Sequence, residues 1–372
     1  MRRILLCITA LMATTAASSA QWQLHDAHTT ADLRGIHNLG GGVAWASGTD
    51  GTILRTEDAG IVWQLCAKPP NGEHLDFRAI QAFDNNTAII MSIGKGDQSR
   101  LYKTTDGCQT WRLLFTNPDK DGFFDALKFR NQETGWLVGD PVDGRFVLMG
   151  TIDGGLHWTR AETNTLAASD QSGVFAASNS SMLVPNSPSF LTGGPDAAFF
   201  YEGDTVCTPI TAKKARTGCI SDFTKFERTP VPLKADSPSA GGFSIAQRHD
   251  TIFVAVGGDY TKPLERKGTA AYFDDYLGRW FAAKTPPGGF RSAVAYDVTA
   301  KAWIAVGPNG TDVSTDDGRN WRALKPNPKF HDTPDADQHW NALSLPFVVG
   351  PHGRIGTLRP NAIKPHKQKP SS

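Results

Sequence analysis

Arginines recur at one place in a short repeated motif: Leu33-Arg34-Gly35-Ile36, Phe77-Arg78-Ala79-Ile80 and Phe290-Arg291-Ser292-Ala293. The motif is an apolar residue, a polar or small one, a small one, then a second apolar one. Phe124-Asp125-Ala126-Leu127 and Trp340-Asn341-Ala342-Leu343 fit it, while Phe175-Ala176-Ala177 and Phe243-Ser244-Ile245 fit it loosely. If the motif opens equivalent strands, Arg34, Arg78, Asp125, Arg291 and Asn341 gather on one face. Three planar guanidinium forks sharing a face suit recognition of a carboxylate. A second polar set follows short apolar runs that end in Gly, where turns bring it to the same face: Asp97, Asp140 and Asp259, with Asp50, Asp196, Asn309 and His352. Turn Asp and Asn residues also cap their own turns, and each arginine can instead pair with a nearby Asp and serve the fold. As a set, Arg34, Arg78, Asp125, Arg291, Asn341, Asp97, Asp140 and Asp259 are the candidate partner-binding residues.

The elements that must hold these residues are marked by a cassette: a hydroxyl residue, Asp two positions on and Trp seven positions on. It occurs at Thr56-Glu57-Asp58 with Trp63, Thr104-Thr105-Asp106 with Trp111, Thr151-Ile152-Asp153 with Trp158, and Ser314-Thr315-Asp316 with Trp321. Self-similarity at such periods indicates a repeat architecture. Asp and the hydroxyl accept backbone N–H groups of a tight turn, and Gly supplies its left-handed position. The Trp then opens a strand and buries its ring between repeats. An apolar run into a Gly turn returns seven times, ending at Gly48, Gly94, Gly139, Gly193, Gly257, Gly307 and Gly350. Near-continuous apolar strands are expected where both faces of a sheet are covered. Each unit therefore reads as four strands, a to d, and four-stranded sheets repeated radially make a β-propeller.

The expected fold is all-β, a seven-bladed β-propeller over residues 21–358. The last unit lacks a fourth strand, and Trp22-Gln23-Leu24 resembles one. The N-terminal strand is therefore expected to complete the seventh blade and leave no open edge. The fifth unit keeps a damaged cassette, Phe273-Asp274-Asp275 to Trp280, and the fourth has Thr205-Val206-Cys207 in its place. The long connections 160–172, 208–240 and 325–337 are expected to carry diversity.

Met1-Arg2-Arg3, an apolar run to Met12 and Ala16-Ala17-Ser18-Ser19-Ala20 describe a secretory signal peptide over residues 1–20, too short to span a membrane. The mature chain is expected to be exported, periplasmic or secreted. Removing these residues takes 38 basic residues to 36 against 37 acidic ones, leaving no basic field to recruit nucleic acid. Residues 359–372 are polar and rich in Pro and Lys, as a disordered tail would be. Cys66, Cys108, Cys207 and Cys219 allow three pairings in an exported protein. Our reading favours Cys207–Cys219, closing a basic excursion. The histidines show no metal-ligand spacing and no phosphate or dinucleotide motif is present, so neither metal nor cofactor is expected.

The cassettes and Gly135-Trp136-Leu137-Val138-Gly139-Asp140 resemble the BNR/Asp-box propellers, and most nearly the photosystem II stability/assembly factor family and its bacterial relatives. The resemblance covers about residues 21–358 and is strongest at 33–161 and 289–324. It implies a seven-bladed scaffold that docks a protein partner, membrane-embedded partners included, partly through an arginine patch. The chain is thus expected to be a monomeric, non-catalytic scaffold for assembly or quality control of a membrane or envelope complex. Asp-box propellers also include sialidases and other glycosidases. The alternative is a glycoside hydrolase on the same face. A sialidase needs three arginines, a Tyr–Glu nucleophile pair and an Asp, and Phe77-Arg78-Ala79-Ile80 faintly echoes its Phe-Arg-Ile-Pro motif. A two-carboxylate enzyme would draw on Asp125 and Asp140.

Overall fold

A computed structural model describes residues 21–169, 171–203, 207–209, 219–221, 225–249, 251–328, 331–360 and 362–363. The expected signal peptide and most of the expected tail lie outside them. Seven antiparallel four-stranded sheets follow one another along the chain. Their innermost strands (strand a) are Leu33–Gly40, Asp76–Ala82, Phe124–Phe129, Met182–Leu183, Ala240–Arg248, Ala293–Asp297 and Ala342–Ser344, in blades 1 to 7. These strands touch their neighbours in order all round, blade 7 meeting blade 1. The closure is as expected: Trp22–Asp26 pairs with Arg354–Leu358 as the outer strand of blade 7.

The four cassettes are superposable hydrogen-bond units. In blade 1 the Thr56 hydroxyl donates to Asp58 Oδ1 at 2.8 Å, Gly60 N–H donates back to Thr56 Oγ1 at 3.0 Å, and Val62 N–H donates to Asp58 Oδ1 at 2.9 Å. The same bonds recur around Asp106, Asp153 and Asp316. Each Trp then packs on the preceding blade. Trp63 meets Phe347 edge-on, Trp111 donates to Ala67 O, Trp280 meets Phe200, and Trp22 donates to Thr311 Oγ1. The buried apolar residues fall into seven clusters, one at each blade junction, and these rings lie in four of them.

Cys66, just past the outer strand of blade 1, forms a disulfide with Cys108 in the cassette of blade 2. The favoured pair, Cys207 and Cys219, lies on a two-stranded ribbon, Cys207–Pro209 with Cys219–Ser221, between the last two strands of blade 4. Side chains there are outside the described set. The span 208–240 is consequently no simple inter-blade loop, because Phe226–Val231 within it is the outer strand of blade 4.

Blade 4 corrects the sequence reading in a second way. Phe175-Ala176-Ala177 is not its inner strand; Met182–Leu183 is, pairing with Ser189–Leu191. The segment before it instead crosses the mouth of the central channel. Gly173 bridges Gly193, Arg78 donates to Ala176 O at 2.9 Å, and the Ser178 hydroxyl reaches Ser292 O of blade 6 at 2.9 Å.

Candidate functional site

One residue near the start of the inner strand is bulged, the second of the motif in blades 1, 2 and 3 and Phe243 in blade 5. Strand pairing skips it in blades 1, 2, 3 and 5, between Leu33 and Gly35, Phe77 and Ala79, Phe124 and Ala126, and Gly242 and Ser244. A bulge leaves one residue unpaired and re-aims its side chain. Here the re-aimed residues are Arg34, Arg78, Asp125 and Phe243, and all four line one cavity of about 660 Å3 at the channel mouth. Asn341 and Ser292 line it from blades 7 and 6, and Asp140 joins from the end of a second strand.

Arg291 does not line this cavity. Its amide donates to Gly257 O of the preceding blade, as Leu33 does to Gly350 O and Trp340 to Gly307 O. Arg291 is thus the counterpart of Leu33 and Trp340, and Ser292 is the counterpart of Arg34 and Asn341. The quartet read at 290–293 is one residue out of step, and in a strand such a slip moves a side chain to the opposite face. Arg291 is 2% exposed and bonds Asp312 through Nε at 2.8 Å, with Nη1 on Asn309 Oδ1 at 2.6 Å. Three converging forks are therefore replaced by two. Asp97 stands in an exposed turn paired with Arg100. Asp259 is buried and caps its own turn, accepting from Thr261 N–H at 2.9 Å and the Ser239 hydroxyl at 2.8 Å. Burial opposes its ionisation, but these bonds draw its pKa down to about 2. Neither residue reaches the cavity.

Arg34 and Arg78 are neighbours. Burial first, then the charge of Arg78, lowers the pKa of Arg34, whose Nε is buried without a hydrogen-bond partner. Each has its own carboxylate, Asp32 at 3.7 Å from Arg34 and Asp76 at 2.9 Å from Arg78. Beside them Asp125 is 2% exposed, with Oδ2 unpartnered. Burial, then the charge of Asp140, raises its pKa well above the carboxylate range. Burial likewise raises Asp140 to about 6, although Val174 N–H donates to its Oδ1 at 3.1 Å.

The opposite wall is aromatic, a feature the sequence reading passed over. Phe175 stacks on Phe243 with ring centres 3.9 Å apart, and Phe290 and Tyr260 meet Phe243 edge-on at 4.7 and 6.1 Å. The available clue was Phe243-Ser244-Ile245, where Phe243 reads as the first residue of the motif but stands in the bulged place. The cavity therefore offers cations and a protonatable acid pair on one side and a stacked apolar wall on the other. Such a surface holds a group that is polar at one end and apolar at the other. Tyr260 is the tyrosine that lines it and no glutamate does, so a Tyr–Glu nucleophile pair does not meet the arginines among the described residues.

No family model matches the chain. A curated protein, vacuolar protein sorting/targeting protein 10 of Verticillium alfalfae, is 25% identical over 148 residues, 40% of this chain and 9% of its own length. The chain thus spans under a tenth of that relative. Among solved structures, YCF48 bound to D1 peptide matches with TM-score 0.62 at 15% identity, covering 93% of this chain and 99% of that one. YCF48 from Cyanidioschyzon merolae gives TM-score 0.55 at 16% identity over 92% and 100%, and the WD40 propeller of Doa1 gives 0.58 at 11% over 93% and 99%. At these identities the likeness concerns fold. The fold is a seven-bladed β-propeller.

Proposed function

We propose that the chain is an exported, non-catalytic scaffold that binds a protein partner at the mouth of its channel, in assembly or quality control of a membrane or envelope complex. The observation that carries this is the two-sided cavity, Arg34 and Arg78 facing Phe243, Phe175, Phe290 and Tyr260. Two guanidiniums beside a rigid aromatic wall make the kind of anchor that dominates protein recognition. A structure sharing the fold holds a D1 peptide, which is a property of that protein and supports the general mode. Export rests on the Met1–Ala20 sequence and is consistent with the Cys66–Cys108 disulfide, which persists in oxidising compartments. No helix among the described residues is long and apolar enough to cross a membrane.

The test places a photo-crosslinking residue at Tyr260 and isolates adducts from a membrane-containing extract. A single exported or membrane protein, captured by the wild type and lost from Arg34→Ala/Arg78→Ala and from Phe243→Ala, is the expected result. Capture that survives both variants would remove the cavity from the reading. The Asp125–Asp140 pair favours a second reading, hydrolysis of a glycoside with Asp140 as acid, because a carboxyl with pKa about 6 is suited to that role. Turnover of fluorogenic glycosides abolished by Asp140→Asn would establish it.

A further inference from the structure

Three residues beyond the cavity ring on the same inner strands, His37, Gln81 and Lys128 form a separate tier. They occupy one register position in blades 1, 2 and 3, opposite Trp45, Ile89 and Trp136 on the second strands. His37 Nδ1 accepts Ala82 N–H at 3.0 Å, so the proton of the neutral ring sits on Nε2. That Nε2 lies 3.5 Å from the Gln81 amide nitrogen, which also donates to Ala82 O at 3.4 Å and keeps a second N–H. The Lys128 side chain has no hydrogen bond or ion pair with any described residue. The equivalent positions in blades 5, 6 and 7 are Ala246, Ala295 and Ser344, and blade 4 opens with Met182. No carboxylate belongs to the tier. An ammonium sunk in a channel without a counter-charge is costly unless it sheds its proton or acquires an anion.

We propose that this tier is an anion site, distinct from the mouth cavity, in which Lys128 Nζ, His37 Nε2–H and the Gln81 amide donate to one small oxyanion. The three side chains stand at one register position on three adjacent inner strands, and the charge of Lys128 acts on His37, so a trigonal or tetrahedral oxyanion between them could accept from all three. Burial alone pushes the Lys128 amine down to about 8, and burial, then the Lys128 charge, pushes His37 to about 4. His37 is therefore a neutral donor near pH 7, and Lys128 is the charge that the anion meets. Among the described residues, Lys128 is the charged group that shifts His37, and burial is what shifts Lys128; Arg34, Asp76, Arg78 and Asp125 of the same strands do not shift either. Bound anion holds the Lys128 proton, so affinity falls as pH rises through about 8.

The test is reductive methylation of the intact protein, read at Lys128 by peptide mass spectrometry. Inorganic phosphate and acetate are separate arms at matched ionic strength, with chloride as control. Phosphate or acetate is expected to slow methylation of Lys128 by about tenfold relative to surface lysines, the drop set by a site about 90% occupied. The more protective arm identifies the ligand as an inorganic oxyanion or a carboxylate. Lys128→Met should abolish any phosphate-dependent rise in Tm while leaving the mouth cavity intact. A Lys128 that methylates at the same rate in every arm, or that never methylates, overturns the proposal, and the methylation readout needs no variant.

Discussion

Asp140 carries the most testable titration in the molecule. Its pKa in the folded chain, about 6, stands above the ordinary 3.8. The sign follows from linkage. A carboxyl whose folded pKa is raised contributes stability that is complete below about pH 4 and is lost as pH rises through about 6. Asp140→Asn keeps an oxygen to accept Val174 N–H and removes the charge. It should raise unfolding free energy at neutral pH by about 1–3 kcal/mol and leave stability near pH 4 unchanged. Urea unfolding of both proteins across that range reads the difference; parallel curves at both ends would mean that Asp140 is not held protonated. Arg291 teaches the converse lesson about single residues. The side chain best suited on paper to the channel is sealed against Asp312, so its replacement damages the fold before it touches any ligand.

At the level of the blade, the cassette Asp is a turn former. Burial raises the pKa of Asp316, but the amides and hydroxyl it accepts from lower it further. Asp316→Ala orphans the Ser314 hydroxyl and Asn320 N–H and should cost about 1–2 kcal/mol. Because the cassette carboxylates all have lowered pKa values, their contribution is present above the ordinary carboxylate pKa and is lost on acidification, opposite in sign to Asp140.

The disulfide sits in the same motif. Three cassettes place Gly60, Gly155 and Gly318 at a left-handed position, and the fourth places Cys108 there with φ of 67°. A side chain in that region is strained by about 1–2 kcal/mol. Closing a loop between residues 42 apart is worth up to about 4 kcal/mol in the chain-entropy account, so the crosslink outweighs the strain. Cys66→Ser alone should therefore lose more stability than Cys66→Ser/Cys108→Gly, by about 1 kcal/mol, since the double variant restores the glycine. Equal denaturation midpoints for the two would show that Cys108 is unstrained.

For the whole ring, the decisive contact is its closure. Trp22 is 1% exposed, lies 5.9 Å from Trp340 and donates to Thr311 Oγ1 at 3.1 Å, so one ring ties the first described strand to blades 6 and 7. Trp22→Ala should cost about 3–5 kcal/mol. Deleting residues 21–26 should do more, exposing the Arg354–Leu358 edge and turning a single unfolding transition into a broad, aggregation-prone one. Calorimetry distinguishes the two; a truncated chain that unfolds sharply at the original temperature would show that the ring does not depend on this strand.

Blade number, closure and the place of each Trp were legible in the chain because they rest on local chemistry repeated at intervals. A hydroxyl, an Asp and a Gly within a few residues specify one turn wherever they occur, and repetition averages out the damaged copies. The site was legible by halves. Arg34, Arg78, Asp125 and Asn341, expected on one face, line one cavity because their quartets align without a gap. Arg291 was misplaced because Phe290 stands where the quartet expects its first apolar residue, and a period of two converts a one-residue error into the opposite face. Phe175, Phe243 and Phe290 each match the first, apolar place of the repeated motif, so the period marks them as strand residues and hides the wall that they form. The segment 173–177 resembles a strand in composition, but contacts with Arg78, Asp140, Gly193 and Phe243 draw it across the channel. Long-range packing of this kind has no local code, which is why the scaffold could be read from the sequence and the character of its mouth had to be read from the folded chain.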